Sequence, residues 1–242
     1  MFKDHNINQL CDEVFTIKNF LSKEELVEVI AELYLVDWDN VEPKGQYTYN
    51  KVQSLNKYRA RLEKIIEGEE LTFRDLNEVI RRPPSAGMAP HTDVINYEVR
   101  FRDIEVDKNF SGAKQKIGMS KYAFILYLND NYTGGEICYP EYGIEYKPEA
   151  GEIVIHSPRV VHAVIKVKEG FRYTLSSVID GYIYVDAEKY KNVERIEDLH
   201  ERDRNDPLFY YSIDHGPTEN KRLQKFIDNY VNVGLYSDKP LT

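Results

Sequence analysis

The stretch His162-Ala-Val-Ile-Lys-Val-Lys-Glu-Gly-Phe-Arg172-Tyr-Thr-Leu-Ser-Ser-Val-Ile179 decides how the rest of this chain is read. Two apolar runs flank Lys168-Glu169-Gly170, a short loop ending in glycine, which is the pattern of a β-hairpin. A three-residue loop with Gly170 in the left-handed conformation makes Val167 and Phe171 the closing pair. His162 then stands opposite Ser176 and Lys166 opposite Arg172, so that His162 and Arg172 project from one face of the sheet. At about 3.3 Å per residue the two are roughly 13 Å apart along the strands. A two-residue loop would put them on opposite faces. A His and an Arg at that separation can hold a small dicarboxylate between them.

Outward from this hairpin the chain divides by period. Residues 13 to 20, Glu-Val-Phe-Thr-Ile-Lys-Asn-Phe, alternate apolar and polar residues and predict a strand. Ser22-Lys-Glu-Glu25 is a capping box, and Leu26, Val27, Ile30 and Leu33 continue at helical spacing to about Leu35. Leu55, Tyr58, Leu62, Ile65 and Ile66 predict a second amphipathic helix stopping at Gly68. From Phe73 the pattern changes to strands: Leu76 to Arg82, Tyr122 to Asn129, Glu136 to Tyr139, Gly143 to Lys147, Glu152 to His156, and the hairpin. Pro83-Pro84, Asn129-Asp-Asn, Gly134-Gly135 and Pro148-Glu-Ala-Gly151 punctuate them. Short strands with frequent turns, preceded by helices rather than interleaved with them, predict a mainly β fold with flanking helices. Its core is a double-stranded β-helix, or jelly roll, packed on the N-terminal helices.

Residues 94 to 121 read as a long, poorly periodic insertion, either a lid or binding loop or a surface excursion. Beyond Ile179, Leu223, Phe226, Ile227, Tyr230 and Val231 form a helical stripe in a Tyr-rich segment. The expected organisation is one jelly-roll domain with its helices at 1–179, and a helical extension at 180–242 packed on that core.

The composition is that of a globular domain: 42% hydrophobic and 30% charged residues over 242 positions. A net charge of −9 without a basic block argues against a nucleic-acid surface. No stretch is long and apolar enough for a membrane span, and the N-terminal residues lack a signal-peptide layout. Two cysteines, Cys11 and Cys138, make no disulfide framework and no metal-ligand pair. A cytoplasmic compartment is the expectation.

Among six histidines, one is two residues from a carboxylate in an extended context: Pro90-His91-Thr-Asp93. Positions i and i+2 of a strand share a face, so His91 and Asp93 can ligate one ion. A distant second His completes a two-His, one-carboxylate set, which leaves open positions on an octahedral metal and suits non-haem Fe(II). His156 reads as a lining or structural residue, and His5, His200 and His215 lie outside the pattern.

From about Phe15 to Ile179 the chain resembles the Fe(II)- and 2-oxoglutarate-dependent oxygenases of the prolyl 4-hydroxylase-like branch. The matching stretches are Phe15-Thr-Ile-Lys-Asn-Phe-Leu-Ser-Lys-Glu-Glu25, Pro90-His91-Thr-Asp93 and Ile125-Leu-Tyr-Leu-Asn129. Gly134-Gly-Glu136, Pro148-Glu-Ala-Gly151, His156-Ser-Pro-Arg-Val-Val-His162 and Gly170-Phe-Arg172-Tyr-Thr-Leu175 follow in the same order.

The resemblance implies that His91, Asp93 and His162 hold iron. It implies that Arg172 and Tyr127 bind the distal carboxylate of 2-oxoglutarate. Ser176, opposite His162 in the expected hairpin, and Thr174 are further candidates beside that centre, and Ile137, next to Glu136, is a candidate apolar wall for the co-substrate. Fe(II), 2-oxoglutarate and O2, with ascorbate as a reductant, are the implied cofactor and co-substrates.

The implied activity is that of a dioxygenase hydroxylating an unactivated C–H bond in a prolyl or other residue of a peptide or protein. A free amino acid or small molecule is the enzymatic alternative, and a non-catalytic jelly-roll binding module the other. The chain departs from the family where a Tyr and a Gly usually precede the metal motif; here it reads Arg81-Arg82-Pro83-Pro84-Ser85-Ala86-Gly87-Met88. The nucleic-acid demethylase branch has a second Arg at a position that is Val178 in this chain.

Overall fold

The computed structural model describes residues 7–41, 46–48, 51–67, 71–73, 78–91, 93, 114–158 and 160–186. In chain order the strands are β1 (Ile7–Cys11), β2 (Val14–Ile17), β3 (Gln46–Thr48), β4 (Leu71–Phe73), β5 (Glu78–Arg82), β6 (Met88–His91) and β7 (Lys114–Tyr127). They continue with β8 (Thr133–Gly134), β9 (Ile137–Tyr139), β10 (Ile144–Tyr146), β11 (Ile153–His156), β12 (His162–Val164), β13 (Val167–Glu169) and β14 (Arg172–Asp186). The helices α1 (Lys23–Tyr34), α2 (Gln53–Asn56) and α3 (Arg59–Lys64) fall before β4.

The first helix starts where its capping box requires. Ser22 Oγ accepts from the Glu25 amide at 3.3 Å, and the Ser22 amide donates to Glu25 Oε2 at 2.8 Å. Leu26, Val29 and Leu33 form its buried stripe. Glu32, on the same helix, receives the amides of Gln53 and Ser54 at 2.7 and 2.9 Å, satisfying open donors at the start of α2. The single helix expected from Leu55 to Ile66 is two short ones, with the break at Lys57 and Tyr58.

Eight strands form the major sheet, in the order β1-β2-β11-β7-β14-β5-β3 with β4 on the edge of β14; four form the minor sheet, β10-β9-β12-β6. This is a double-stranded β-helix with strands on two facing sheets. Alternation along the major sheet separates two environments. Phe124, Leu126, Ile153, Ile155, Leu175 and Val79 point outward into one core cluster with Leu26, Val29, Leu33, Leu55 and Leu62 of the helices. Ile80, Arg82, Ala123, Ile125, Arg172, Thr174 and Ser176 point inward and line a cavity of about 290 Å³ between the sheets.

The expected hairpin is not formed. His162 lies in the minor sheet, where its Cα partner is His91 rather than Ser176. Ser176 is paired with Ile125 and Glu78 in the major sheet. Arg172 is paired with Arg82 rather than Lys166, and Val167 with Gly134 of β8 rather than Phe171. The physical reason is burial on both sides. Val161, Ala163, Val164 and Ile165 are all buried, and the run then leaves the minor sheet, pairs with β8 and reaches the major sheet through the exposed turn Lys168 to Phe171. The crossing is possible because Gly134 has no Cβ; one there would stand 2.3 Å from the Lys166 carbonyl oxygen. Gly170 does take the left-handed conformation, with φ +78°, but it turns the chain between sheets.

Two boundaries also move. Residues 114–121, expected in the irregular insertion, belong to β7, which pairs along its length with β14 from Thr174↔Tyr127 to Asp186↔Lys114. Strand β14 continues past Ile179 into the segment expected to be helical. The remainder of the insertion, Gly68, and the stripe from Leu223 to Val231 lie outside the described residues. Among the described residues no helix is long and apolar enough to cross a membrane.

Candidate active site

Sheet pairing builds one end of the cavity. His91 ends β6 and His162 begins β12, and as Cα partners they bring their rings to 4.2 Å between centroids. Asp93 follows β6, its amide donating to the Pro158 carbonyl at 3.1 Å. Its Oδ1 lies 3.6 Å from His91 Nε2, and its Oδ2 lies 3.6 Å from His162 Nε2. Ligand atoms of His91, Asp93 and His162 all lie within 4.8 Å of one another. His162 Nδ1 donates to the Val160 carbonyl at 3.1 Å, which fixes the tautomer and leaves the Nε2 lone pair facing the carboxylate.

The electrostatics favour a cation here. Burial strips the His162 imidazolium of solvent and outweighs the pull of Asp93, pushing its pKa down to about 3. Burial also opposes ionisation of Asp93, but the surrounding imidazoles, His162 foremost, outweigh it and hold the carboxyl well below the usual range. Burial thus keeps the His162 imidazole neutral beside the Asp93 carboxylate near neutral pH, and two imidazoles with one carboxylate are the donor set of a divalent first-row metal. These residues fit Fe(II).

His156 is a third imidazole at this centre, which the sequence reading treats only as lining or structural. It is fully buried, its Nδ1 donates to the Ser157 carbonyl at 3.1 Å, and its Nε2 has no hydrogen-bond partner 3.7 Å from Asp93 Oδ2. Its place opposite Ala123 on β11, beside a strand not contiguous with the His-x-Asp motif, carries no local signal of this contact.

The other end of the cavity is built from the major sheet. Arg172 is 2% exposed, and its guanidinium donates to Tyr127 Oη at 2.8 Å while stacking 4.8 Å from that ring's centroid. Tyr127 accepts this bond, so its own O–H remains free to donate. Arg172 Nε is buried without a partner. Arg82, the Cα partner of Arg172, also lines the cavity. Its neighbour Arg81 points to the opposite face and stacks on Trp38 and Phe171, at 5.2 and 4.8 Å from the ring centroids.

The remaining expected residues divide. Ser176 and Thr174 line the cavity. Ile137 is fully buried in a second core cluster with Tyr127 and Tyr139 and is not among the cavity's lining residues. Arg82 was legible as a departure from the family pattern, but its inward direction needed the register of β5 on β14.

His91, Asp93 and His162, a cluster that could hold a metal ion, lie on one side of the cavity and the Arg172 guanidinium on the other. The chain is similar to curated PKHD-type hydroxylases of Prochlorococcus marinus. It is 36% identical to that of strain NATL1A over 70 residues, which is 27% of this chain and 32% of the relative. It is 26% identical to that of strain MIT 9312 over 113 residues, 45% of this chain and 48% of the relative.

The chain thus matches about a third to a half of the length of these relatives. No protein-family profile matches it. Among solved structures it is similar to the viral collagen prolyl hydroxylase of Paramecium bursaria Chlorella virus-1, at 15% identity with a TM-score of 0.49, covering 70% of this chain and 90% of that one. It is likewise similar to a Pseudomonas putida prolyl-4-hydroxylase, at 17% identity and a TM-score of 0.49, covering 69% of this chain and 91% of that one.

Proposed function

We propose that the protein is an Fe(II)- and 2-oxoglutarate-dependent dioxygenase that hydroxylates an unactivated C–H bond in a prolyl or other residue of a peptide or protein. The observation that carries this reading is one cavity lined by Asp93 and His162, which cluster with His91, at one end and by Arg172 at the other. The hydroxylase relatives support it. Bound there, Fe(II) supplies O2-dependent oxidation of C–H to C–OH, coupled to conversion of 2-oxoglutarate to succinate and CO2.

Each protein group has a defined task. His91, His162 and Asp93 would hold the Fe(II) through two imidazoles and one carboxylate, a donor set that would leave positions on the metal for co-substrate. Arg172 presents its fork to the far carboxylate of 2-oxoglutarate, and Tyr127 donates its hydroxyl proton to the same group. Ile80, Ile125 and Val164 wall the cavity with apolar surface and keep water from the reacting groups.

Peptides and free amino acids, incubated with the protein, Fe(II), 2-oxoglutarate and ascorbate, test the substrate class. A peptide gaining the mass of one oxygen with one succinate formed per event is the expected result. Oxygen gain only on free amino acids would contradict the peptide assignment, and 2-oxoglutarate-independent oxidation would contradict the reaction class.

A further inference from the structure

We propose that Arg82 is a second guanidinium on the distal carboxylate of 2-oxoglutarate, gripping from β5 the same group that Arg172 grips from β14. The inference deepens the proposed function and rests on it.

Three observations converge. Arg82 and Arg172 are Cα partners on adjacent antiparallel strands and both line the cavity, so an anion small enough to sit on one lies within reach of the other. Among the described residues neither has a carboxylate partner. Among the described residues Arg82 reaches the Gly87 carbonyl at 3.3 Å and the weak acceptor Met88 Sδ at 3.0 Å. The Nε atoms of both are buried without a partner. Burial first and the charge of Arg172 second push the Arg82 pKa down to about 10, and both guanidiniums act on the Tyr127 phenol.

A pair of like charges in a largely apolar cavity is costly until an anion bridges them. A carboxylate has roughly four acceptor positions. Arg172 and Tyr127 together do not exhaust them, and the second fork fits those left. The consequence is specificity: a 2-oxo acid with a distal carboxylate is favoured over one without it by more than a single arginine would give.

The test uses the full chain loaded with redox-inert Mn(II) and follows 2-oxoglutarate binding by calorimetry. Arg82→Met is expected to weaken 2-oxoglutarate at least about tenfold, to leave Mn(II) affinity within about twofold, and to leave the ligand-free melting temperature no lower than wild type, because a buried unpaired charge is removed. Arg82→Lys, which keeps the charge without the fork, is expected to fall between the two. Unchanged 2-oxoglutarate affinity in Arg82→Met, or a joint loss of Mn(II) and 2-oxoglutarate binding, would overturn the inference while leaving the proposed function intact. Failure of the wild-type Mn(II) protein to take up 2-oxoglutarate would remove the proposed function itself.

Discussion

The two sheets contribute to the cavity in opposite electrostatic senses. The minor sheet brings His91 and His162 together as cross-strand partners, with Asp93 just beyond β6. Its groups are two imidazoles, His162 oriented by the Val160 carbonyl, and one carboxylate, a set suited to a cation. The major sheet brings Arg172 and Arg82 together, also as cross-strand partners, with Tyr127 on the adjoining strand. Its groups are donors and positive charge, suited to an anion. The separation explains how one small cavity can orient a molecule that is a metal chelator at one end and a carboxylate at the other. Neither sheet alone holds both ends.

Substitutions on one sheet should therefore spare the function of the other. Asp93→Ala carries the largest expected effect, since it deletes the charged ligand and leaves buried imidazoles around a void. Co(II) affinity should fall by more than about 100-fold, beyond the 10–100-fold typical of losing an outer partner; a loss under tenfold in a Co(II) absorption titration would break the assignment of the cation end. Arg172→Ala comes next. A buried fork lost from a carboxylate costs about 2–5 kcal/mol, so 2-oxoglutarate binding should fall by roughly 30-fold or more while Co(II) affinity without co-substrate stays within about twofold.

Tyr127→Phe should weaken 2-oxoglutarate about tenfold, the scale of one hydrogen bond to a charged group, and should also leave Co(II) binding unchanged. Equal losses of both ligands in any of these major-sheet variants would show that the halves are not independent. The smallest effect is expected of Ser176→Ala. Because Ser176 is opposite Ile125 rather than His162, neither Co(II) nor 2-oxoglutarate affinity should move by more than about twofold.

Much of the architecture was legible before any coordinates. The capping box at Ser22, the strand at Val14–Ile17 and the strand ending at His156 are local patterns, fixed by hydrogen bonds within a few residues or by simple alternation. The hairpin was not, because a run buried on both faces has no alternation to reveal which sheet it joins. His162 to Ile179 therefore read as two strands of one sheet, where the chain crosses the sandwich at Gly134.

The placement of His162 and Arg172 in one cavity nevertheless holds, by a different route: they face each other from two sheets. Parity along β7 was readable, and Tyr127 does lie on the face of Ala123 and Ile125. Ile137 is buried in one cluster with Tyr127 and Tyr139, a seat set by packing between the sheets rather than by any local pattern. That His156 touches Asp93 and that Arg82 faces the cavity are not legible for the same reason. Each reaches the centre through a strand pairing that joins residues far apart in sequence.

Anaerobic titration of the protein with Fe(II) and 2-oxoglutarate tests the central claim most directly. A metal-to-ligand charge-transfer band that saturates at one co-substrate per chain, vanishes in Asp93→Ala and requires higher 2-oxoglutarate in Arg172→Ala is the predicted result. A wild-type protein that binds Fe(II) and 2-oxoglutarate without the band, or shows no binding of either, would contradict a cavity that holds cation and anion together.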